Sequence, residues 1–325
     1  MKAILIINPK SGQAKRKMPP VFKWTFKKLE KRVIEVSKPN TTAAEIIKEV
    51  RKICIEENIK LDIEFTKHPK HAMELAKEAK DKYEMVIVAG GDGTVNEVIN
   101  GIIDSKITLV IIPFGSTNVF ALELGIPFNT KEASELIAFG KILKVDLGYA
   151  KTNLEARYFS MMVDVGFVPK IIEGTNLKIK NKLGHLAYIF SGIRQLLTYK
   201  WYNIHIEHKT HSVGYFVIVS NSKDYGGEYQ IADKASTTDG LLDLVVINRK
   251  SWWEIIKFFS SVLIGKSNTF LRGEYFQIKE AYIYSKHKML VQVDGELIGE
   301  APVEIKVIPK ALAVMVKRGA QRDSA

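Results

Sequence analysis

Residues 85–101 read Met-Val-Ile-Val-Ala-Gly-Gly-Asp-Gly-Thr-Val-Asn-Glu-Val-Ile-Asn-Gly. The five apolar residues from Met85 to Ala89 have the look of a strand buried on both faces. They run into Gly90, Gly91, Asp92, Gly93 and Thr94, then into a helical pattern with Val95, Val98, Ile99 and Ile102 on one side. A strand whose end is a cluster of glycines opening a helix is suited to phosphate. Glycine can take positive φ and press backbone N–H groups against an anion, and the helix N-terminus adds its positive end. Asp92 among those glycines would repel a bare phosphate, so the stretch predicts a nucleotide carried with Mg²⁺. An ordinary strand-to-helix turn is the alternative, but such a turn rarely needs three glycines and an acid together.

Outward from this stretch, the first half alternates. Residues 2–7 form an apolar strand followed by a polar turn at 8–13, and a helix is expected at 43–57 after Pro39-Asn40-Thr41. Residues 61–66 alternate as a strand, 71–82 have helical spacing, and 107–112 make another buried strand ending at Pro113. This order predicts an α/β domain, residues 1–126, built on a parallel sheet with helices on both faces. Ligands of such sheets lie at the carboxyl ends of the strands, so the turns after Ile7, Ala89 and Ile112 are the places to look. From residue 127 to 310 the texture changes to short alternating runs at 143–149, 158–165, 203–208, 215–221, 242–248, 276–284, 288–293 and 303–307. They predict a second, β-rich, antiparallel sandwich-like domain, interrupted by helical stretches at 184–198 and 252–263. The last apolar run, within 311–325, can return to the first domain.

Composition narrows the class. The chain has 325 residues, enough for two domains, and is 46% hydrophobic and 26% charged. Its single cysteine, Cys54, excludes a disulfide framework and a cysteine metal cluster. No run reaches the ~18 apolar residues of a membrane span, and the opening residues lack a signal peptide's apolar stretch. The expectation is a cytoplasmic protein. The formal net charge of +12 invites an anionic partner. No compact basic face with interleaved aromatics is legible, so nucleic acid is not expected, and an anionic membrane surface remains.

Two further turns share the character of the first. Asn8-Pro9-Lys10-Ser11-Gly12 follows a strand and offers an ammonium, a hydroxyl and a glycine; Pro113-Phe114-Gly115-Ser116-Thr117-Asn118 opens a short helix at 119–124. Each alone is a common turn, and Ser116 or Thr117 could simply cap a helix. Three such turns after three parallel strands are harder to dismiss.

These three segments, in this order and spacing, resemble the diacylglycerol kinase catalytic-domain family of lipid kinases, which includes bacterial diacylglycerol kinases and sphingosine kinases. The similarity continues through Thr238-Asp-Gly-Leu-Leu-Asp243 and Val293-Asp-Gly-Glu296, so it covers nearly the whole chain. The resemblance implies ATP in a cleft between the domains, held by Asn8, Pro9, Lys10, Ser11 and Gly12, by Gly90, Gly91, Asp92, Gly93, Thr94, Val95 and Asn96, and by Thr66 and Ser116. It implies a structural Mg²⁺ at Asp239, with carbonyls of Ser236 and Leu241, and a catalytic base at Asp294 or Glu296, with Asp92 also in the machinery. Two departures stand out. The family often has Gly-Thr-Gly-Asn-Asp where this chain has Gly115-Ser-Thr-Asn-Val119, and Gly-His-Ala where it has Lys70-His71-Ala72.

The expected activity is therefore ATP- and Mg²⁺-dependent phosphorylation of a lipid hydroxyl, diacylglycerol-like or sphingoid-like, by a protein peripherally associated with the membrane. A non-catalytic nucleotide sensor and a kinase for a soluble alcohol are the alternatives. A homodimer is one admissible assembly. The residues 252–264, with paired Trp and Phe, and the aromatic run 185–202 are core helices or faces for lipid. His205, His208 and His211 are expected to diverge on one strand and bind no metal.

Overall fold

The computed structural model describes residues 1–11, 42–174, 200–225, 229–251, 253 and 273–319. The chain divides into two compact units, one from Met1 to Lys144 together with the chain from Leu312, the other from Val145 to Ala311.

The first unit is built on parallel strands β1 (Lys2–Ile7), β2 (Lys60–Phe65), β3 (Met85–Gly90) and β4 (Thr108–Pro113), in the order β2-β1-β3-β4. Between and after them come α1 (Ala43–Glu56), α2 (His71–Ala79), α3 (Asp92–Ile102), α4 (Val119–Glu123) and α5 (Thr130–Phe139). β1, β3 and β4 read as continuous apolar runs because both faces are covered. Leu5, Ile7, Ile87, Val110 and Ile112 pack with Ile46, Val50 and Ile53 of α1 and Ala133 and Ile137 of α5. The alternate residues Ile4, Ile6, Val86 and Val88 are buried on the other face, which α2 and α3 cover. The unit continues beyond residue 126, through α5 to Lys144, because α5 lies beside α1 against β4. From Leu312 the final strand adds to this sheet, with Ala313 and Val314 parallel to Thr108 and Leu109.

The chain leaves β1 toward β2 on one side and returns as β3 on the other. β1 and β3 stay paired to their carboxyl ends, and the connections that follow them lead to opposite sides of the sheet, which makes these ends the usual ligand position in such sheets. Asn8–Ser11 and Gly90–Thr94 emerge there.

The second unit begins within β5 (Lys141–Lys151) and continues through β6 (Ala156–Phe159), β7 (Met162–Val165), α6 (Phe167–Gly174), β8 (Ile204–Glu207), β9 (His211–Gly214), β10 (Phe216–Ser220), β11 (Asp224–Tyr225) and β12 (Tyr229–Gln230). It is completed by β13 (Leu242–Ile247), β14 (Glu274–Ile278), β15 (Glu280–Tyr284), β16 (Leu290–Val293), β17 (Glu296–Glu300) and the first part of β18 (Val303–Val316). An antiparallel sheet of order β14-β13-β10-β7-β16-β17 faces a second in which β18, β15, β8 and β9 follow one another. Val163, Val165, Val217, Leu244, Val246, Val291 and Val293 fill the core with Ile204, Ile206, Ala281, Ile283, Val303 and Ile305. The sandwich-like reading of the second half holds.

The run at 158–165 is two strands and not one, because Ser160 and Met161 turn their N–H groups toward Asp294. β9, β17, α5 and α6 went unread, and the run at 276–284 is likewise two strands, β14 and β15. The helical expectations at 184–198 and 252–263, and Gly12, lie outside the described residues. Among the described residues no helix is long and apolar enough to cross a membrane.

Candidate functional sites

In the first unit the three turns meet. Asn8 donates from Nδ2 to Thr94 Oγ1 at 2.9 Å, which ties the end of β1 to the first turn of α3. Its Oδ1 accepts the N–H of Lys10 at 3.0 Å and its carbonyl that of Ser11 at 3.1 Å, so the segment curls back on itself. Asn118, at φ 51°, accepts the N–H of Gly115 at 2.8 Å and donates to its carbonyl at 3.0 Å. The result is a cavity of about 260 Å³ lined by Lys10, Ser11, Gly91, Asp92, Gly93, Thr94, Gly115 and Ser116. α3 starts at this cavity, and the N–H groups of its first turn have no carbonyl partners within the helix. With Lys10 they make a positive pole suited to a phosphate.

The glycines act differently from the expectation. None of Gly90, Gly91, Gly93 and Gly115 has positive φ. Gly91 and Gly115 act sterically: a Cβ on Gly115 would stand 2.3 Å from the Cα of Gly91, so the second and third turns touch backbone to backbone.

Asp92 is also directed differently. Its carboxylate accepts Thr117 Oγ1 at 2.8 Å and the N–H of Phe120 at 3.3 Å, and so holds the start of α4. Burial raises this carboxyl above the usual range, against the hydrogen bonds from Thr117 and the N–H groups of residues 118–120. Of the other expected nucleotide residues, Gly90 ends β3 behind Thr94, and Val95 and Asn96 are buried in α3. Thr66 donates its N–H to the Ile7 carbonyl at 2.8 Å, one strand away, and with Pro9 it lies outside the cavity lining. Glu97 went unnoticed as a structural group; its carboxylate accepts the N–H groups of Lys70 and Ala72 at 2.9 and 3.1 Å and caps α2.

In the second unit Asp294 and Gly295 are the two corner residues of the β16–β17 hairpin, with φ 46° and 88°. The Asp294 carboxylate accepts the N–H groups of Ser160, Met161 and Met162 and the Ser160 hydroxyl, at 2.9 to 3.2 Å. Burial raises this carboxyl even so. Glu296, two residues on, is exposed, and its Oε2 lies 2.5 Å from Nη1 of the buried Arg157. Arg157 also meets Glu155 at 3.2 Å. The two acids of the Asp-Gly-Glu run are thus distinct: one is anchored in backbone hydrogen bonds, the other is presented on an arginine.

A third cluster gathers acids. Asp239 accepts the N–H of Leu241 at 3.0 Å, and Ser236 Oγ lies 3.3 Å from Thr238 Oγ1. Asp146, missed in the sequence because it sits inside an ordinary strand, accepts the N–H groups of Gly240 and Lys310 at 2.6 and 2.7 Å. Burial, and next the charge of Asp146, raise Asp239. Asp243 is fully buried; one oxygen accepts Tyr275 Oη at 2.5 Å and the other has no hydrogen-bond partner among the described residues. Its carboxyl is pushed up to about 6 by burial, opposed by the Tyr275 bond and reinforced by Asp239 and Asp233. Asp239 offers an oxygen donor of the kind a divalent cation such as Mg²⁺ takes, while among the described residues only the trio His68, His71 and Glu74 brings its ligand atoms within 4.8 Å of one another.

His205 and His211 do converge, Nδ1 to Nε2 at 3.4 Å, because they lie on paired strands β8 and β9 and not on one. Cys54 is buried and its thiol is raised to about 11, which removes it as a nucleophile.

Comparison with known proteins agrees. Residues 33–150 match the diacylglycerol kinase catalytic domain, and residues 162–316 the YegS C-terminal NAD kinase beta sandwich-like domain. The chain is 29% identical to a diacylglycerol kinase of Bacillus subtilis (strain 168), over 76% of this chain and 82% of that one. It is 30% identical to the Staphylococcus aureus (strain MSSA476) protein named "Putative lipid kinase SAS0691", over 73% and 78% of the two. The crystal structure of a diacylglycerol kinase from Bacillus anthracis str. Sterne superposes with a TM-score of 0.71 at 24% identity, covering 98% of both chains, and so shares the fold. The chain belongs to the diacylglycerol kinase catalytic-domain family of lipid kinases.

Proposed function

We propose that this enzyme transfers the γ-phosphoryl group of ATP to the hydroxyl of a membrane lipid, diacylglycerol-like or sphingoid-like. The observation that carries the reading is the cavity of the first unit, where a helix start, Lys10, Ser11 and Ser116 converge on one small volume. Such an arrangement has little use except to hold a phosphate chain. In this reading Lys10 and the first-turn N–H groups of α3 grip the phosphates, and the Gly91–Gly115 contact shapes the floor. Asp92 keeps the third turn in position.

Glu296 is the base. Asp294 cannot leave its four hydrogen bonds without undoing the hairpin, whereas Glu296 is exposed to an incoming alcohol. As the lipid oxygen bonds to the γ-phosphorus, its proton passes to the Glu296 carboxylate, and the bond from phosphorus to the bridging oxygen breaks to release ADP. The products are a lipid phosphate monoester and ADP. Mg²⁺, when bound, would neutralise charge on the phosphates, and a second ion would be held by Asp239 with the carbonyls of Ser236 and Leu241, where it would order the acidic loop. The +12 formal charge supports peripheral contact with an anionic membrane surface.

The test is a substrate panel. Radiolabelled ATP is offered with diacylglycerol, sphingosine, ceramide and phosphatidylglycerol in mixed micelles, and labelled lipid is resolved by chromatography. One labelled lipid is expected. Tight ATP binding with no transfer to any alcohol would make the protein a sensor.

A further inference from the structure

Glu296 does not stand alone on Arg157. The guanidinium of Arg157 is 6% exposed and serves two carboxylates, Glu296 through Nη1 at 2.5 Å and Glu155 through Nη2 at 3.2 Å. Backbone anchors hold all three side chains together. Thr152 Oγ1 donates to the Ile298 carbonyl of β17 at 2.9 Å and accepts the N–H of Glu155 at 3.1 Å. Asp294 ties the same hairpin to Ser160–Met162, three residues beyond Arg157.

We propose that Arg157 is the positioning residue for Glu296, and that Glu155 is the reserve partner that keeps the buried guanidinium compensated while Glu296 carries a proton. This rests on the reading of Glu296 as the base. The physical argument concerns what happens to Arg157 during turnover. A buried arginine with one carboxylate partner is left as an uncompensated charge when that partner is protonated, and such a charge is strongly unfavourable. A single pair would therefore hold Glu296 ionised and make it a poor base. With Glu155 on the other edge of the fork, Arg157 keeps an ion pair throughout. The fixed planar guanidinium also orients the Glu296 carboxylate, which a lone exposed glutamate would not achieve.

Among the described residues, the other charged groups around Glu296 are few. Asp294 lies in the same turn, committed to N–H groups. Helix α6, which packs on β17, carries Lys170 and Glu173, paired with each other at 2.8 Å. β16 brings no ionisable side chain, and Glu300, at the far end of β17, is 3.6 Å from Lys288.

The experiment is a carboxyl ¹³C NMR titration of glutamate-labelled full-length protein, with the Glu296 resonance assigned by its loss in Glu296→Gln. Glu155→Gln leaves Arg157 to Glu296 alone, and the Glu296 midpoint moves down by about one pH unit; Arg157→Met moves it up by about as much. Arg157→Lys, which keeps the charge, falls between wild type and Arg157→Met. Glu155→Gln removes no buried charge and provides the test even where Arg157→Met fails to fold. The acidic limb of the kcat/KM profile moves in parallel. A midpoint unmoved in Glu155→Gln, or moved upward, overturns the proposal. Opposite shifts in a protein that phosphorylates no lipid would leave the triad standing and remove the kinase reading instead.

Discussion

The Cα of Gly91 and the position of a Cβ on Gly115 are 2.3 Å apart, far inside the contact distance of two carbons from different segments. The same Cβ would meet Asn118 Oδ1 at 2.8 Å, whereas a Cβ on Gly91 meets the Gly115 Cα at 3.2 Å. Gly115→Ala therefore forces the second and third turns apart, at a cost of about 1–3 kcal/mol, and should weaken Mg·ATP binding at least tenfold. Gly91→Ala should do less. Calorimetric titration with thermal unfolding checks both; wild-type affinity in Gly115→Ala would mean that the nucleotide does not use this cavity.

Asp92 holds the third turn through Thr117 and Phe120. Asp92→Ala removes what is in effect a helix cap from a neighbouring segment, worth about 0.5–2 kcal/mol. The variant should stay folded at 25 °C with a lower urea midpoint, and lipid phosphorylation should be lost. Unchanged stability and full transfer together would contradict the role given to this carboxylate.

Asp243 predicts a pH dependence of stability. Its carboxyl is raised from 3.8 to about 6 in the folded chain, so the native state holds this proton more tightly than the unfolded chain does. The contribution is fully present below about pH 4 and is lost as the pH rises through about 6, by up to about 3 kcal/mol. Asp243→Asn should flatten this slope, leaving the share of the other raised carboxyls, Asp92, Asp239 and Asp294, and be more stable than wild type at pH 7 without divalent ions. Denaturation curves from pH 4 to 7 decide it, and the same slope in the variant would refute the assignment.

If the acidic loop binds a cation, Mg²⁺ should raise the melting temperature of the nucleotide-free protein by mass action. Asp239→Ala should lose the response while Asp92→Ala keeps it. An equal rise in Asp239→Ala would put the ion elsewhere.

Much of this was legible in the chain, for identifiable reasons. Buried parallel strands such as Met85–Gly90 are read directly because both faces are apolar, and α3 because Val95, Val98, Ile99 and Ile102 recur with its turns. The cavity residues Lys10, Ser11, Gly91 and Ser116 were found because they end such strands. What stayed hidden depends on pairing across long sequence separations. Arg157 and Glu155 resemble surface charges until β6 is brought beside β17, and Asp146 resembles a strand residue until Gly240 and Lys310 point at it. The His205–His211 approach needs the β8–β9 hairpin, whose second strand is only four residues long. Of the two properties expected of the glycines, positive φ is used by none of Gly90, Gly91, Gly93 and Gly115, whereas close approach holds for Gly91 and Gly115, between one turn and the next.

The most direct test is Glu296→Gln, which preserves the shape of the side chain and removes its basicity. Mg·ATP affinity should stay within about twofold of wild type while the rate of transfer from labelled ATP to the lipid hydroxyl falls by about 10²- to 10⁴-fold. Transfer at the wild-type rate would show that Glu296 takes no proton and that the chemistry lies elsewhere.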